Sequence, residues 1–140
     1  MNYLDAGDEV RIDHIGYAVK DIERAREKFE SLGFIFEETV NDKKRNLYIQ
    51  FGIKDGYRIE LVSPMTCSSP VDGILKAVGA TPYHFCFKSS DMKSDIKRLE
   101  RERYKVILPE AEAIAFGGRR VVFMMNREIG MLEIVEEAIE

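Results

Sequence analysis

Alternating apolar and polar positions near the start of the chain predict a strand that leads into a helix. The segment RIDHIGYAV alternates with the two-residue period of a half-buried strand. Asp21 follows it at a position where its side chain can cap a helix. The apolar residues of that helix recur at helical spacing, at Ile22, Ala25, Phe29 and Leu32. Gly33 then supplies the left-handed residue at which a helix commonly ends.

The same pattern occurs a second time, so the chain contains an internal repeat. Residues 12–34 and 82–104 each begin with a strand-like run that holds one histidine. Each histidine is followed seven residues later by an aspartate, and Asp91 is the second predicted cap. The helix after it has an apolar stripe at Met92, Ile96 and Leu99. Small modules of this kind are usually joined to share one core.

Three strand-like stretches follow each predicted helix. They are FIFEETV, NLYIQFGI and YRIELV in the first half, and YKVIL, RRVVFMM and GMLEIVE in the second. The tripeptide KDG at 54–56 predicts a tight hairpin. Each half is therefore a β-α-β-β-β module, and the predicted fold class is α+β.

The predicted single domain, 1–140, divides into a first module at 12–65, a connector at 66–81 and a second module at 82–138. The connector predicts a short helix with Ser69 as its cap, Pro70 in its first position and Gly79 at its end.

Composition narrows the classes of function. The 140 residues carry a net charge of −4, with 45% hydrophobic and 33% charged residues. The acidic balance argues against nucleic acid as a partner. No apolar run approaches the roughly 18–20 residues that span a bilayer, and the start lacks a signal-peptide pattern. With only Cys67 and Cys86, the expected location is the reducing cytoplasm.

Two histidines and two glutamates occupy matching places in the repeat. The separation from histidine to glutamate is 46 residues for His14 and Glu60, and 49 for His84 and Glu133. Taken singly, each is compatible with a structural role, the glutamates then pairing with arginines. Four ionisable groups that face one another across a pseudo-twofold axis need a compensating charge, which a divalent cation supplies. Mixed nitrogen and oxygen ligands suit Zn, Ni, Co or Fe(II) better than Ca or Mg.

These motifs resemble those of the vicinal-oxygen-chelate superfamily, which includes glyoxalase I and methylmalonyl-CoA epimerase. The resemblance runs from Ile12 to about Glu137, through HIGYAVKDIERA, YRIELVSP, PYHFCFKSSDM and MLEIVEE. It implies paired modules that form an open curved sheet, or barrel, around one divalent ion (Ni, Co or Zn). The ligands that it implies are His14, Glu60, His84 and Glu133.

The ligand set and the surrounding residues resemble different subfamilies. Two histidines and two glutamates are the set of bacterial glyoxalase I, whereas the epimerase usually has glutamine in the second place. The epimerase also has an acidic base on the third strand, where this chain offers Tyr48 or Gln50. Glutathione-dependent members typically have an arginine where this chain has Ala18, and an asparagine where it has Pro64. HIGYAV and ELVSP are closer to the epimerase branch.

The main functional hypothesis is therefore a glyoxalase I-like lyase or isomerase that moves a proton on an α-oxo thiol conjugate through an enediolate. The first alternative is a methylmalonyl-CoA epimerase-like enzyme that acts on an acyl-CoA. The second alternative, from another class of function, is a metal-free resistance protein that binds a small molecule. Such proteins generally lack the four ligands. A ring-cleaving dioxygenase, with two histidines and one glutamate, ranks lower.

The resemblance also implies roles for individual residues. Glu133 is the expected proton-transferring base, with Glu60 as a second candidate. A homodimer is expected. The glycine-rich AFGGRRVVFMM suggests a mobile loop with an anion clamp, or else a hairpin with solvated arginines. The candidate substrate-binding residues are Gln50, Tyr48, Arg119 and Met125.

Overall fold

Residues 10–138 are described by a computed structural model of the chain. Within this range lie nine strands, three α-helices and one short 3₁₀-helix, and the strands form a mixed sheet that is not closed. This confirms the predicted α+β class and the open sheet. No helix in the described range is long and apolar enough to cross a bilayer. The elements in chain order are β1 (Arg11–Ala18), α1 (Ile22–Ser31), β2 (Ile35–Phe36), β3 (Val40–Asp42), β4 (Leu47–Lys54), β5 (Tyr57–Pro64), α2 (Asp72–Val78), β6 (Thr81–Ser89), α3 (Met92–Arg101), β7 (Lys105–Glu112), the 3₁₀-helix (Ile114–Phe116), β8 (Arg120–Asn126) and β9 (Gly130–Glu136).

The chain divides into two compact units, of which the first is His14–His84. Its strands lie in the order β2-β4-β5-β1. β4 and β5 form an antiparallel hairpin, while β1 and β5 pair in parallel, with Gly16 opposite Glu60. The first and last strands of the predicted module are thus neighbours. This pairing brings the start of the module, with His14, beside its end, with Glu60.

Helix α1 covers one face of the first unit. Asp21 caps it as predicted, because its Oδ1 accepts a hydrogen bond from the N–H of Arg24 at 3.0 Å. Gly33 ends it with a φ of 101°, and the N–H of Phe34 donates to the carbonyl of Phe29. The core beneath the helix is built from Val19, Ile22, Ile59 and Leu61.

The second unit contains residues 10–13 and 85–138 of the described range. Its strands lie in the order β6-β9-β8-β7, and β6 pairs with β9 in parallel, as β1 does with β5. Asp91 caps α3 through the N–H of Ser94 at 3.1 Å. At the place equivalent to Gly33, Arg103 has a φ of 70°. The core under α3 is built from Met92, Val122, Met124, Leu132 and Ile134.

The stretch FIFEETV is two short strands and not the one that the sequence predicts. Phe36 pairs with Gly52 and Val40 pairs with Ile49, so this side of the ladder has one residue more than β4. The side-chain amide of Gln50 donates to the carbonyl of Glu37 at 2.7 Å, within the interruption. An extra residue of this kind is a β-bulge, which bends the strand.

The connector helix ends as predicted but begins later. Gly79 is its C-cap, and the N–H of Gly79 donates to the carbonyl of Leu75. The helix starts at Asp72 with Val71 as its N-cap, so the prediction of Ser69 as the cap is wrong. The N–H of Ser69 instead donates to the carboxylate of Asp72 at 2.7 Å, which folds 69–72 into a turn before the helix.

The predicted hairpin at KDG is confirmed. β4 ends at Lys54 and β5 begins at Tyr57, with Asp55 and Gly56 between them at φ values of 52° and 82°. Two central residues with positive φ make the type of turn that matches the twist of the flanking strands. Because the turn has two residues, Phe51 lies directly opposite Glu60.

Candidate metal centre

Three buried side chains of the first unit converge: His14 on β1, Glu60 on β5 and His84 on β6. They are 1%, 4% and 4% exposed. The Nε2 atom of His14 lies 3.4 Å from Oε1 of Glu60, and Nε2 of His84 lies 3.6 Å from the same oxygen. The two imidazole rings are 5.6 Å apart between centroids, at an angle of 76°. One carboxylate oxygen therefore faces both imidazoles inside the unit.

The strand register explains why His14 and Glu60 share a face. Gly16 is paired with Glu60 in the parallel ladder, and His14 precedes Gly16 by two residues, so both lie on the side of Glu60. Across the antiparallel ladder, Phe51 is the direct partner of Glu60. Its ring meets the ring of His14 edge-on, with centroids 5.3 Å apart. Phe51 is thus an apolar wall beside the polar cluster.

Gly16 provides the space in which the second imidazole lies. A Cβ atom at this position would be 2.1 Å from Cε1 of His84 and 2.4 Å from its Nδ1. Heavy atoms cannot approach so closely, and the contact is with a buried ring rather than with a flexible chain end. A glycine in the middle of a strand often marks such a close approach. Any side chain at position 16 would displace His84.

The donor set of this cluster fits a divalent metal ion. Each of the three residues offers one ligand atom, and these atoms lie within 4.8 Å of one another. Two imidazole nitrogens and a carboxylate oxygen suit ions such as Zn, Co or Ni. Buried carboxylates need a compensating charge. Two features favour this interpretation. Gly16 leaves space for the second imidazole, and one oxygen of Glu60 faces both imidazoles.

Glu133 lies in the second unit, at the place in the repeat that matches Glu60. It is 4% exposed, in the middle of β9, with Phe123 as its partner on β8 and Cys86 as its partner on β6. Cys86 is fully buried, as expected for a structural thiol. The ligand and base roles of Glu133 stay predictions.

Two predicted substrate-binding residues do not face this cluster. Phe51 faces it, and successive residues of a strand point to opposite sides, so Gln50 points to the other face. Tyr48 shares that other face and packs against the core under α1. It also lines a cavity of about 440 Å³ beside the start of α1. The structure therefore does not place Tyr48 and Gln50 beside the histidines, and their contact with substrate stays a prediction.

The guanidinium of Arg119, the predicted anion clamp, donates hydrogen bonds to backbone carbonyls of the protein. Nε of Arg119 donates to the carbonyl of Phe116 at 3.1 Å, and another guanidinium nitrogen donates to the carbonyl of Glu136 at 3.2 Å. Arg120 pairs with Glu110 and Glu136. These contacts tie the loop before β8 to the end of β9. Binding of a substrate anion by Arg119 stays a prediction.

Met125 lies where a substrate-binding role remains open. Phe123 is opposite Glu133, and Met125 follows it by two residues, so it lies on the same face of the sheet as Glu133. It is 38% exposed, whereas Met124 is fully buried in the core under α3. Contact with substrate stays a prediction for Met125.

Sequence reasoning missed one residue that the structure brings to the cluster, Phe51. The signal was present, because a two-residue turn at Asp55 and Gly56 places position 51 opposite position 60. Arg58, two residues before Glu60, is on the face of Glu60 as its spacing predicts. The guanidinium carbon of Arg58 lies 3.9 Å from the centre of the Phe51 ring.

Comparison with known proteins identifies relatives over most of the chain. A protein from Bacillus subtilis (strain 168) called "Uncharacterized protein YqjC" is 32% identical over 124 residues, which is 84% of each chain. The mitochondrial methylmalonyl-CoA epimerase of Bos taurus is 26% identical over 122 residues, 86% of this chain and 69% of that one. These findings favour the epimerase alternative over our main glyoxalase hypothesis, which they do not support beyond the superfamily.

The fold is shared with solved epimerase structures. A variant of the Streptomyces coelicolor methylmalonyl-CoA epimerase, in complex with 2-nitronate-propionyl-CoA, superposes with a TM-score of 0.79 at 23% identity. The match covers 92% of this chain and 98% of that one. Residues 13–123 match the family model of the glyoxalase/bleomycin resistance protein/dioxygenase superfamily. The chain belongs to that superfamily.

Proposed function

We propose that this protein is a metal-dependent epimerase that acts on the carbon next to the thioester carbonyl of an acyl-CoA. The observation that carries the proposal is the buried cluster of His14, Glu60 and His84. Curated relatives that act as methylmalonyl-CoA epimerases support the substrate class. Glu133 completes the proposed ligand set, because it occupies the matching place in the repeat.

The residues of the cluster serve proton transfer at a weakly acidic carbon. A divalent ion held by these side chains would supply positive charge that stabilises the enolate, an effect worth several kcal/mol. His14 and His84 would hold the ion through their buried imidazole nitrogens. Glu133 takes the proton from the substrate carbon, with Glu60 as the second candidate, and return of a proton to the opposite face of the enolate completes the epimerisation. A positioned base of this kind contributes about 10²–10⁴-fold to the rate.

The environment of the first strand argues against glutathione as the thiol carrier. Glutathione-dependent members of the family typically have an arginine at the place of position 18, where this chain has alanine. Ala18 is fully buried. A neutral methyl group in that place offers nothing to a carboxylate of the tripeptide. An acyl-CoA therefore fits the chain better than a glutathione conjugate.

Deuterium exchange tests the proposal directly. The protein, stripped of metal and reloaded with Co, Ni or Zn, is incubated in D₂O with methylmalonyl-CoA, and label at the substrate's second carbon is measured by mass spectrometry. We expect metal-dependent exchange of that proton and no conversion of methylglyoxal with glutathione. Conversion of the glutathione conjugate without exchange on the CoA ester would reverse the assignment.

Variants assign the roles of the two glutamates. Glu133→Gln should keep most of the metal and lose nearly all exchange, since a carboxamide cannot accept the proton. Full activity at confirmed metal content would exclude Glu133 as the base. The homodimer also stays a prediction, and sedimentation equilibrium would measure the oligomeric state.

A further inference from the structure

A cavity with a polar lining lies on the α1 side of the first unit, opposite to the candidate metal centre. Its volume is about 440 Å³, within the range of roughly 300–1,000 Å³ that is usual for small-molecule sites. In its lining, Ser63 and Tyr48 are direct partners in the β4–β5 hairpin, and Asn41 is the partner of Tyr48 on β3. Directly opposed residues share a face, and Tyr48 packs against the core under α1. Three polar side chains of adjacent strands therefore form one row on this side of the sheet.

The hydroxyl of Ser63 is the observation that points to a ligand. Ser63 is 1% exposed, and it lines the cavity. Within residues 10–138, its hydroxyl makes no hydrogen bond to another side chain or to the backbone. Burying a hydroxyl without a partner costs free energy, and an alanine in the same place would avoid that cost. A ligand in the cavity would provide the partner that the protein does not.

The other uncharged side chains of the lining that can form hydrogen bonds are equally available. They are half-buried Tyr48 and exposed Thr39 and Asn41, and none of their side chains is hydrogen-bonded within the described range. A hydroxyl can both donate and accept, and a side-chain amide does the same through two different atoms. Together with Ser63, these groups present donors and acceptors to the same cavity.

The charged residues of the lining argue against an ionic ligand. The cavity reaches the start of α1, where the partial positive charge of a helix favours an anion. That position already holds the carboxylates of Asp21 and Glu23, and Asp21 caps the helix through the N–H of Arg24. Lys20 offsets one of these negative charges, and the other repels an anion. The most buried polar groups are neutral hydroxyls, which give a cation no carboxylate to pair with.

We propose that this cavity binds a small neutral molecule with several hydroxyl groups, such as a single sugar or another polyol. Hydroxyls of such a ligand donate to the carboxylates, accept from Lys20, and do both with the hydroxyls of Tyr48 and Ser63. The inference goes beyond the proposed function, because the cavity lies on the other face of the sheet and needs no metal ion. Either proposal can therefore fail without the other.

Titrations followed by NMR test the proposal. Protein labelled with ¹⁵N is titrated separately with ribose, glucose, myo-inositol and inorganic sulfate, and the amide shifts are recorded. The variants Ser63→Ala and Tyr48→Phe each remove one hydroxyl and no other heavy atom. Ser31→Ala and Tyr57→Phe are the matched controls, since they make the same chemical changes outside the lining. The urea midpoint is measured for every variant.

We expect at least one of the three polyols to shift the amide signals of residues 20–23 and 39–41 saturably, and sulfate to shift none of them. Ser63→Ala and Tyr48→Phe should each weaken binding of that polyol about twofold to tenfold, and the two controls should bind it as the wild type does. Ser63→Ala should not lower the urea midpoint, because its hydroxyl has no partner in the described range to lose.

Four results would overturn the proposal. The first is saturable binding of sulfate in place of the polyols, which would indicate an anion site. The second is the absence of binding by all three polyols. The third is polyol binding that both Ser63→Ala and Tyr48→Phe leave unchanged. The fourth is a lower urea midpoint for Ser63→Ala at unchanged polyol affinity, which would mean that the hydroxyl serves the fold.

Discussion

The imidazole of His84 occupies the space that a side chain at Gly16 would require. Its Cε1 would be 2.1 Å from a Cβ atom at that position. Gly16 is also the register partner of Glu60 in the parallel ladder. A single glycine therefore connects the pairing of two strands to the position of a predicted metal ligand.

Replacing Gly16 by alanine should disable metal binding while the sheet persists. The methyl group forces the ring of His84 away from Glu60, and overpacking of this kind costs about 1–3 kcal/mol. Metal stoichiometry and the urea midpoint measure the two effects. Gly73→Ala is the control, because Gly73 lies in α2 and a Cβ atom added there would have nothing within 4 Å. The control should bind metal normally and gain about 0.5–1 kcal/mol. Normal metal binding by Gly16→Ala would show that the position of the His84 ring does not depend on glycine at position 16.

Removing any of the three clustered side chains should abolish stabilisation by metal. An ion at about 100 times its dissociation constant stabilises a folded protein by about 2.7 kcal/mol. We expect this gain for the wild type with Co, Ni or Zn, and little of it for His14→Ala, Glu60→Ala or His84→Ala. Thermal unfolding with and without the ion provides the measurement. Glu27→Gln, on the exposed side of α1, should respond as the wild type does. A full metal response in His84→Ala would show that the ion binds elsewhere.

Replacing Arg103 by glycine should stabilise the protein. Arg103 has a φ of 70°, where a side chain costs roughly 1–2 kcal/mol, although glycine returns part of this through the entropy of the unfolded chain. We expect a net gain of about 0.5–1 kcal/mol in the free energy of unfolding, measured with urea. Glu102→Gly is the control, since Glu102 has a φ of −97° and gains no relief. A loss of stability in Arg103→Gly would mean that the arginine side chain makes a compensating contact.

Replacing Arg119 by alanine should lower stability and leave substrate binding intact. The guanidinium donates to the carbonyls of Phe116 and Glu136, and losing these bonds should cost about 1 kcal/mol in urea unfolding. Arg127→Ala, at an exposed position, should have no measurable effect. If Arg119→Ala instead raised the KM for the acyl-CoA at unchanged stability, this result would support the predicted role of Arg119 in binding a substrate anion.

The helices were predictable because their signals are local. Asp21 and Asp91 cap within three residues of themselves, and Gly33 needs nothing beyond its own backbone freedom. Arg103 shows the limit of that rule, since the same chain reversal forms there without glycine. Ser69 makes hydrogen bonds typical of a capping box, from its N–H to Asp72 and from the N–H of Val71 to its Oγ, yet the α-helix starts only at Asp72. A local signal of this kind locates the start of a helix only to within one or two residues.

The face to which each strand residue points depends on distant partners. Tyr48 and Gln50 are substrate-binding candidates because they lie on the strand that matches the one with the epimerase base, and the pairing of Phe51 with Glu60 places them on the face opposite to the cluster. The interruption between β2 and β3 involves Gln50 and Glu37, which are 13 positions apart. The matched histidines and glutamates were predictable, because a repeat carries spatial information that single positions lack.

In each unit the first strand pairs in parallel with the last. β1 lies beside β5, and β6 lies beside β9. During synthesis a ribosome therefore releases His14 long before the strand that brings Glu60 to it, and the interval is filled by a helix and a hairpin that can form early. Nascent chains stalled before residue 60 should hold no ion, however complete their helix is.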